Sequence, residues 1–386
     1  MPQYPPSVLF RDDTTGQAML FAEPTDIIIA HTRVEVLAGL DRMQREKAAG
    51  RWLAGYMAYE AGYVFEDKLA PFIVEHRKTP LMVFGVFDGP AASDHPLSQL
   101  QQRAENEALL SDATAAWDFR AYQTRFDRLH QHIRQGDCYQ GNLTMPVLAR
   151  WNGDPRAAIW SLIDRQPVKY GALVDLGGPI ILSRSPELFF RIDDDGWIET
   201  HPMKGTAPRG ETPGDDAAIV EAMRRDGKTQ AENRMIVDLL RNDISRIAET
   251  GSVEVPKLFD IETYPTVHQM VSHVQAKLLA GLSIRDIFTA LFPCGSVTGA
   301  PKMRAMEILH ALEVGPRDAY CGAIGMIAPS GAMRFSVAIR TITLFDDFRA
   351  VFNVGGGIVF DSTAEAEYEE CLLKARFAVG DAWIAR

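Results

Sequence analysis

The sequence predicts an α+β fold built on mainly antiparallel sheets. Strand-like segments are joined by short turns such as "DDDG" at 193–196 and "PSG" at 329–331, which are typical of antiparallel hairpins. Amphipathic helical segments lie between groups of strands instead of following every strand in turn. This order favours separate helices and sheets over a doubly wound parallel sheet.

Strand candidates are rich in β-branched and aromatic residues and have the length of single strands or hairpins. In the longer C-terminal part they are "GALVDL", "PIILSRSPELFFRI", "GWIETHPM", "CGAIGMIA", "MRFSVAIRTITLF" and "AVFNV". Nearer the N-terminus, "RWLAGYMAYEAGYVF" at 51–65 is a further candidate, rich in glycine and aromatic residues.

Helices are predicted for "FRAYQTRFDRLHQHIRQGD", "ENRMIVDLLRNDISRI", "PKMRAMEILHAL" and "STAEAEYEECLLKARFAV". The first should end at Gly136, and Glu232 should lie at the start of the second. Pro301 suits the first position of the third helix, because its missing N–H has no helical partner there. Ser362 and Thr363 are candidates for the N-cap of the fourth.

Three regions follow from the composition along the chain of 386 residues. We expect residues 1–90 to form an N-terminal part of the fold and 119–386 to form a longer C-terminal region that carries the site. Between them, 91–118 is polar, alanine-rich and linker-like. We expect one integrated structural unit overall.

Charge and composition restrict the class of protein. Hydrophobic residues make up 46% and charged residues 24%, as in an ordinary globular protein. The net charge of −11 argues against binding to nucleic-acid phosphates or to an anionic membrane. No apolar run has the length of a membrane span, and the start lacks signal-peptide features. Four widely spaced cysteines favour a reducing, cytoplasmic location: Cys138, Cys294, Cys321 and Cys371.

Two kinds of segment could bind a ligand. Glu367 and Glu370 project from one helix face, and with Glu232 they could hold Mg²⁺, which prefers carboxylate and water ligands. The alternative is that these acids complement helix dipoles. "NVGGGIVFD" could bring a ligand close to bare backbone N–H groups, or it could form a glycine bulge. "PCGSVTGAPK" does not satisfy the phosphate-loop pattern.

Lys204 lies where a strand gives way to a turn, in "HPMKGTAPRG". "SRSPELFF" and "HPMKGT" flank the "DDDG" turn, so Glu187 and Lys204 could end neighbouring antiparallel strands at one rim. They could act as an acid and a nucleophile, provided that the amine is neutral for part of the time. The alternative is a solvated lysine at the rim.

Ten stretches, in this order, resemble the chorismate-utilising enzymes, a family that includes the synthase components for anthranilate and aminodeoxychorismate and the isochorismate and salicylate synthases. They are "GDCYQGNLT", "SRSPELFF", "HPMKGTAPRG", "AENRMIVDLLRNDISRI", "TYPTVHQMVS", "FPCGSVTGAPKMRAMEIL", "YCGAIG", "VAIRT", "GGGIVFDS" and "EYEECLLKA". The resemblance covers about residue 119 to the C-terminus. It implies two interlocked subdomains with helices outside and a central active-site cleft.

The resemblance also implies roles for individual residues. Mg²⁺ would be held, directly or through water, by Glu232, Glu367 and Glu370. Backbone N–H groups of Gly205 and Thr206 would contact the ring carboxylate of chorismate. The remaining substrate contacts would come from Tyr320, Arg340 and Lys374 at the enolpyruvyl carboxylate, from Gly355, Gly356 and Gly357 beside them, and from Ser296 in the cleft. Together with the bound metal, these groups should surround the dianionic substrate with an excess of positive charge.

Glu187 matches the general acid that protonates the departing C4 hydroxyl. His268 matches a histidine near the ring, with a packed structural histidine as the alternative. Thr229 departs from relatives, which often have an acid at this position.

Two positions distinguish the branches of the family. Enzymes that add water at C2 have a lysine base where this chain has Gln140. Lys204 occupies a position that is typically alanine in the anthranilate branch and lysine in the aminodeoxychorismate branch, where the amine is a covalent nucleophile. The resemblance thus implies amination of chorismate at C4 in folate and para-aminobenzoate biosynthesis, with ammonia from a glutamine amidotransferase subunit. Anthranilate synthesis and a catalytically silent chorismate-binding regulatory subunit are the alternatives.

Overall fold

The computed structural model describes residues 5–75, 77–92, 109–264 and 267–380. Within these ranges the strands are β1 Ser7–Asp12, β2 Gln17–Ala22, β3 Asp26–Ala30, β4 Trp52–Met57, β5 Met82–Phe87, β6 Leu110–Ala115, β7 Gln140–Trp151, β8 Tyr170–Asp175, β9 Ile180–Ser185, β10 Leu188–Ile192, β11 Trp197–Thr200, β12 Met203–Pro208, β13 Glu254–Thr263, β14 Val267–Lys277, β15 Gly299–Ala300, β16 Ala323–Ile327, β17 Met333–Val337, β18 Thr341–Leu344 and β19 Arg349–Ile358.

The helices are α1 Arg33–Ala48, α2 Phe119–Arg134, α3 Pro155–Arg165, α4 Pro213–Arg225, α5 Gly227–Ser245, α6 Ile284–Leu291, α7 Lys302–Leu312 and α8 Ala364–Val379. No helix in the described part of the chain is both long and apolar enough to cross a membrane.

The strands form two sheets whose neighbouring strands are antiparallel. Sheet A has the order β15-β7-β19-β18-β9-β8-β1-β2, with β6 also paired to β7. Sheet B has the order β12-β14-β11-β10-β17-β16-β4-β5-β3, with β13 also paired to β14. The predicted α+β class with mainly antiparallel sheets is confirmed.

Three apolar clusters explain the layering. One fills the space between the sheets, where Phe10 and Phe21 of sheet A meet Tyr56 and Phe87 of sheet B. A second lies between sheet A and helices α2, α7 and α8, and a third between sheet B and helices α1, α5 and α6. Because each sheet has one face on its partner and the other under helices, the helices lie outside, as expected.

The N-terminal part contributes to both sheets. Strand β1 pairs with β8 in sheet A, whereas β4 pairs with β16 in sheet B. The first 90 residues therefore share their hydrogen-bond ladders with residues 119–386. Of the predicted linker-like segment, residues 93–108 lie outside the described residues, and Leu110–Ala115 form strand β6, paired with β7.

Helix boundaries follow the capping residues. Helix α2 ends before Gly136, which has a φ of +80°, and Thr363 caps α8 by accepting from Ala366 N–H. The expectation that Glu232 lies at the start of its helix is wrong. Helix α5 begins at Gly227, because Asp226 is its N-cap. The Asp226 side chain accepts hydrogen bonds from the backbone N–H groups of Lys228 and Thr229.

Candidate active site

A cavity of about 290 Å³ lies where strands of sheet A and sheet B approach helices α5 and α8. Most of the residues predicted for the site line it. These are Glu187, Lys204, Gly205, Thr206, Glu232, Ser296, Tyr320, Arg340, Gly355, Gly357, Glu367, Glu370 and Lys374. Residues that are more than 150 positions apart in the chain thus meet in one cleft.

A β-bulge directs Lys204 toward this cavity. The register between β12 and β14 shifts between Met203 and Thr206, so Lys204 and Gly205 lie outside the regular ladder. Gly205 has a φ of +81°, and a Cβ there would come 2.5 Å from the Cγ2 atom of Thr229. Glycine is therefore required by both backbone conformation and space. The Lys204 amine is 3.1 Å from Glu232 Oε2 on α5.

Glu187 carries a buried carboxyl group and lies immediately before β10. Burial raises its pKa to about 7, against a smaller lowering by the Ser296 hydroxyl and the Lys204 charge. Its Oε1 has no hydrogen-bond partner within the described residues. Glu187 and Lys204 both line the cavity, and the Lys204 charge acts on the Glu187 carboxyl group. The prediction that the two residues share a rim agrees with this proximity.

The three predicted metal ligands face the cavity from two helices. Glu232 pairs with Lys204, while Glu370 accepts from Lys374 at 2.7 Å. Burial, with a further contribution from Glu370, raises the pKa of Glu367 against the Ser362 hydrogen bond. Across the described residues, no group of three or more His, Cys, Asp or Glu side chains is arranged as a metal site.

The chemistry of these donors nevertheless fits Mg²⁺. All three are carboxylates, and the Glu367–Glu370 repulsion is the kind of interaction that a bound cation relieves. A Cβ at Gly356 would come 2.9 Å from Glu367 Oε2, so the glycine leaves room for this carboxylate. The Mg²⁺ site stays a prediction.

The cleft also carries three groups suited to a carboxylate, Arg340, Tyr320 and Lys374, of which Lys374 is already paired with Glu370. Arg340 forms no ion pair within the described part of the chain, and its burial lowers the guanidinium pKa to about 10, so it stays charged at neutral pH. Burial raises the pKa of Tyr320, which keeps the phenol protonated as a hydrogen-bond donor. Lys374 donates to Gly355 O at 2.8 Å and so ties α8 to the glycine-rich part of β19.

The cavity lining has equal numbers of positively and negatively charged side chains. Its lining has four cations, Lys204, Lys228, Arg340 and Lys374, and four acids, Glu187, Glu232, Glu367 and Glu370. The expected excess of positive charge is therefore not present in the side chains alone. Protonation of Glu187, whose pKa is about 7, shifts the balance toward positive charge, and a bound divalent cation would shift it further.

Three predicted residues do not line the cavity. His268 is fully buried, with its ring nitrogens 2.8 Å from Asp216 Oδ1 and 2.9 Å from Thr263 Oγ1. This placement favours the packed structural alternative, and a role for His268 at the substrate ring stays a prediction. Gly356 lies on β19 between Gly355 and Gly357, which do line the cavity, and successive residues of a strand face opposite sides. Gln140 is buried beside the lining rather than part of it: a Cβ on Gly357 would come 3.2 Å from the Gln140 amide and 3.3 Å from Lys204 Nζ. Neither polar atom of the Gln140 amide has a partner within the described residues.

Several lining residues escaped the sequence analysis: Asn142, Lys228, Gln269 and Asn353. Three of them lie inside or beside stretches that had been singled out, "GDCYQGNLT", "TYPTVHQMVS" and "NVGGGIVFD". Testing every polar residue of those stretches would have found them. Lys228 lies outside the matched stretches. The nearest local signal is Asp226, which caps α5 two residues before it.

Comparison with known proteins identifies the class of protein to which this chain belongs. Residues 5–380 match the family model described as chorismate binding enzyme. The chain therefore belongs to the chorismate-binding enzyme family. It is also similar to a solved structure of anthranilate synthase component I from Streptococcus pneumoniae, with a TM-score of 0.75, 26% identity and coverage of 97% of this chain and 92% of the other.

Among curated relatives, the chain is 41% identical over 302 residues to "Aminodeoxychorismate synthase component 1" of Klebsiella aerogenes, covering 77% of this chain and 66% of that protein. It is 38% identical over 336 residues to the protein of the same name in Escherichia coli, covering 82% and 73%. Anthranilate synthase component 1 of Methanothermobacter thermautotrophicus is 35% identical, with coverage of 84% and 72%. The matches thus span about two thirds to three quarters of the relatives' length.

Proposed function

We propose that this chain is the synthase component that converts chorismate and ammonia to 4-amino-4-deoxychorismate. One observation carries the proposal: a lysine, Lys204, enters the cavity from a β-bulge that also places it near the buried acid Glu187. The similarity to relatives named aminodeoxychorismate synthase component 1 supports the same branch.

In the first chemical step, the neutral amine of Lys204 attacks C2 of chorismate. Both ring double bonds shift, from C1=C2 to C1=C6 and from C5=C6 to C4=C5, and the C4–O bond breaks. Glu187, with a pKa of about 7, is protonated in about half of the molecules at pH 7 and donates its proton, so that hydroxide leaves as water. The attacking nitrogen then loses a proton, which leaves a secondary amine joined to C2.

In the second step, ammonia attacks C4, both double bonds shift back to C5=C6 and C1=C2, and the C2–N bond breaks. The departing lysine nitrogen takes up a proton, so Lys204 is regenerated. The balance is chorismate plus ammonia giving 4-amino-4-deoxychorismate plus water.

The cleft can also orient the substrate. Arg340 has no ion partner among the described residues, and together with the Tyr320 phenol and Lys374, which line the same cavity, it would hold the enolpyruvyl carboxylate. Glu232, Glu367 and Glu370 would hold Mg²⁺, which when bound neutralises the second carboxylate of the substrate. A planar guanidinium and an ammonium suit carboxylates, so these roles follow from the donor chemistry.

The ammonia would come from a glutamine amidotransferase subunit, since the relatives are named as first components. With that partner the reaction would belong to para-aminobenzoate and folate synthesis. The cysteine pattern is consistent with a cytoplasmic location.

The test is product identity. The purified chain is incubated with chorismate, Mg²⁺ and ammonium, and the product is identified by mass and chromatography. We expect 4-amino-4-deoxychorismate. Anthranilate as the main product would overturn the proposal in favour of the second candidate, anthranilate synthesis, which the 35% identity to an anthranilate synthase component 1 supports. Binding of chorismate without turnover would indicate a silent regulatory subunit.

A further inference from the structure

Arg317 is a buried arginine directly behind the cavity wall. Its side chain is 1% exposed and does not belong to the lining. The guanidinium donates to both oxygens of Glu313, from Nε at 2.9 Å and from Nη2 at 2.7 Å. It also stacks over the ring of Tyr59 at 4.3 Å.

The remaining donors of Arg317 reach two backbone segments of the cleft. Nη1 donates to Val297 O at 2.8 Å, and Nη2 donates to Asn142 O at 2.7 Å. Both Val297 and Asn142 line the cavity, as does Ser296 beside Val297. One planar side chain therefore connects the 295–297 turn with strand β7 across the back of the site.

These carbonyl groups need a donor that the sheets do not supply. Strand β15 has two residues and pairs only with Gln140 and Gly141 on β7, so the Asn142 carbonyl lies just past its end. A buried carbonyl without a partner is costly. A lysine in place of Arg317 would keep the positive charge. Its compact ammonium group could not donate at once to Glu313 and to two separate carbonyl groups, as the planar guanidinium does.

Arg317 is itself fixed from the N-terminal part of the chain. Its backbone N–H donates to Glu60 Oε1 at 2.6 Å, and its carbonyl accepts from the N–H of Tyr320 at 3.2 Å. Glu60 in turn pairs with Arg77 at 2.9 Å. The stretch "MAYEAGYVF", which contains Tyr59 and Glu60, thus acts on the cleft through Arg317.

We infer that Arg317 is a positioning residue for chorismate binding, since it sets the separation between Asn142 on β7 and the Ser296–Val297 turn and anchors Tyr320. This inference rests on the proposed function only in naming chorismate as the ligand. An arginine with a purely structural role would hold the fold together without affecting how tightly the folded molecules bind.

The test uses calorimetric titration of chorismate in the presence of Mg²⁺, with every variant carrying Lys204→Ala so that no covalent step occurs. The titration separates the fraction of molecules able to bind from their Kd. We expect Arg317→Met to raise Kd by about tenfold or more, because displacement of the wall moves several contacts at once. Arg317→Lys should raise Kd less, because it keeps the charge beside Glu313.

The matched control is Arg156→Met. Arg156 is also a buried arginine, bonded to Asp175 at 3.2 Å and to Ser7 at 3.1 Å, and neither partner lines the cavity. It should lower the melting temperature and leave Kd unchanged. An unchanged Kd in Arg317→Lys, or in Arg317→Met where that variant folds, would overturn the inference.

The proposed function is tested independently of this inference, because its test is the identity of the product made by the wild-type chain. If that product is not 4-amino-4-deoxychorismate, the Kd comparison still decides whether Arg317 positions the chorismate site.

Discussion

The amine of Lys204 lies 3.1 Å from Oε2 of Glu232, which pairs the proposed nucleophile with a proposed metal ligand. Attack on carbon requires the amine lone pair, so the proposed nucleophile must leave this ion pair before it can react. In the proposed mechanism, the nucleophile and the metal would therefore share one carboxylate, Glu232.

Glu187→Gln should stabilise the protein in a pH-dependent way. Burial raises the folded-state pKa from the ordinary 4.5 to about 7, so the folded carboxyl holds a proton that the unfolded chain releases. The wild type therefore loses stability as pH rises from about 4.5 to about 7, by roughly 3 kcal/mol. Urea unfolding at pH 4.5 and pH 8 should show equal stabilities at the lower pH and a more stable variant at the higher pH.

The same variant should lose the C4–O cleavage step, since glutamine has no acidic proton. An exposed glutamate on α8, Glu369, supplies the control, because Glu369→Gln should leave both activity and the pH dependence as they are. A stability gap that is the same at both pH values would contradict the raised pKa of Glu187.

Arg340→Met should weaken chorismate binding. The buried guanidinium has no ion partner within the described chain, and the substrate carboxylate would supply one. A charge-assisted hydrogen bond contributes about 1.5–3 kcal/mol, so KM should rise about tenfold to a hundredfold. Steady-state kinetics measure this, with circular dichroism to confirm folding. An unchanged KM would remove Arg340 from the substrate site.

Glu370→Gln should weaken Mg²⁺ binding, because it removes one of three carboxylate donors. Calorimetric titration of Mg²⁺ into the protein with chorismate present measures the Kd directly, and Glu369→Gln provides the neighbouring control. Equal Mg²⁺ affinities in the wild type and Glu370→Gln would exclude Glu370 as a ligand.

Gly205→Ala should be destabilising for two separable reasons. The added Cβ would come 2.5 Å from Thr229 Cγ2, and alanine is strained at a φ of +81°. Thr229→Ser removes that methyl group but keeps the hydroxyl that donates to Asp226 at 2.5 Å. The double variant should therefore recover part of the lost free energy of unfolding, while the left-handed strain of about 1 kcal/mol remains. No recovery would mean that the contact with Thr229 does not explain the glycine.

The fold class and most of the cleft could be predicted because they depend on local signals. Turns such as "DDDG" define hairpins, and Thr363 caps α8 as predicted, whereas Pro301 lies at the N-cap of α7, one residue before the first helical position predicted for it. Ordered motifs then brought Glu187, Lys204 and Glu370 into one expected site, and the cavity contains all three.

What escaped prediction depends on long-range pairing. The sequence does not show that β1 and β4 enter different sheets, or that Asp216 folds back onto His268. Arg317 was passed over for the same reason, since its partners Asn142 and Glu60 are 175 and 257 residues away in the chain. Such contacts are fixed by packing, which no local pattern encodes.

The most direct test is whether Lys204 forms a covalent bond with the substrate. The wild-type chain is incubated with chorismate and Mg²⁺ in the absence of ammonia, digested, and analysed by peptide mass mapping, with Lys204→Ala as the control. We expect an adduct on the peptide containing Lys204, its absence from the variant, and its disappearance when ammonium is added. No adduct in the wild type, together with full-rate formation of 4-amino-4-deoxychorismate by Lys204→Ala, would contradict the role of Lys204 as the nucleophile.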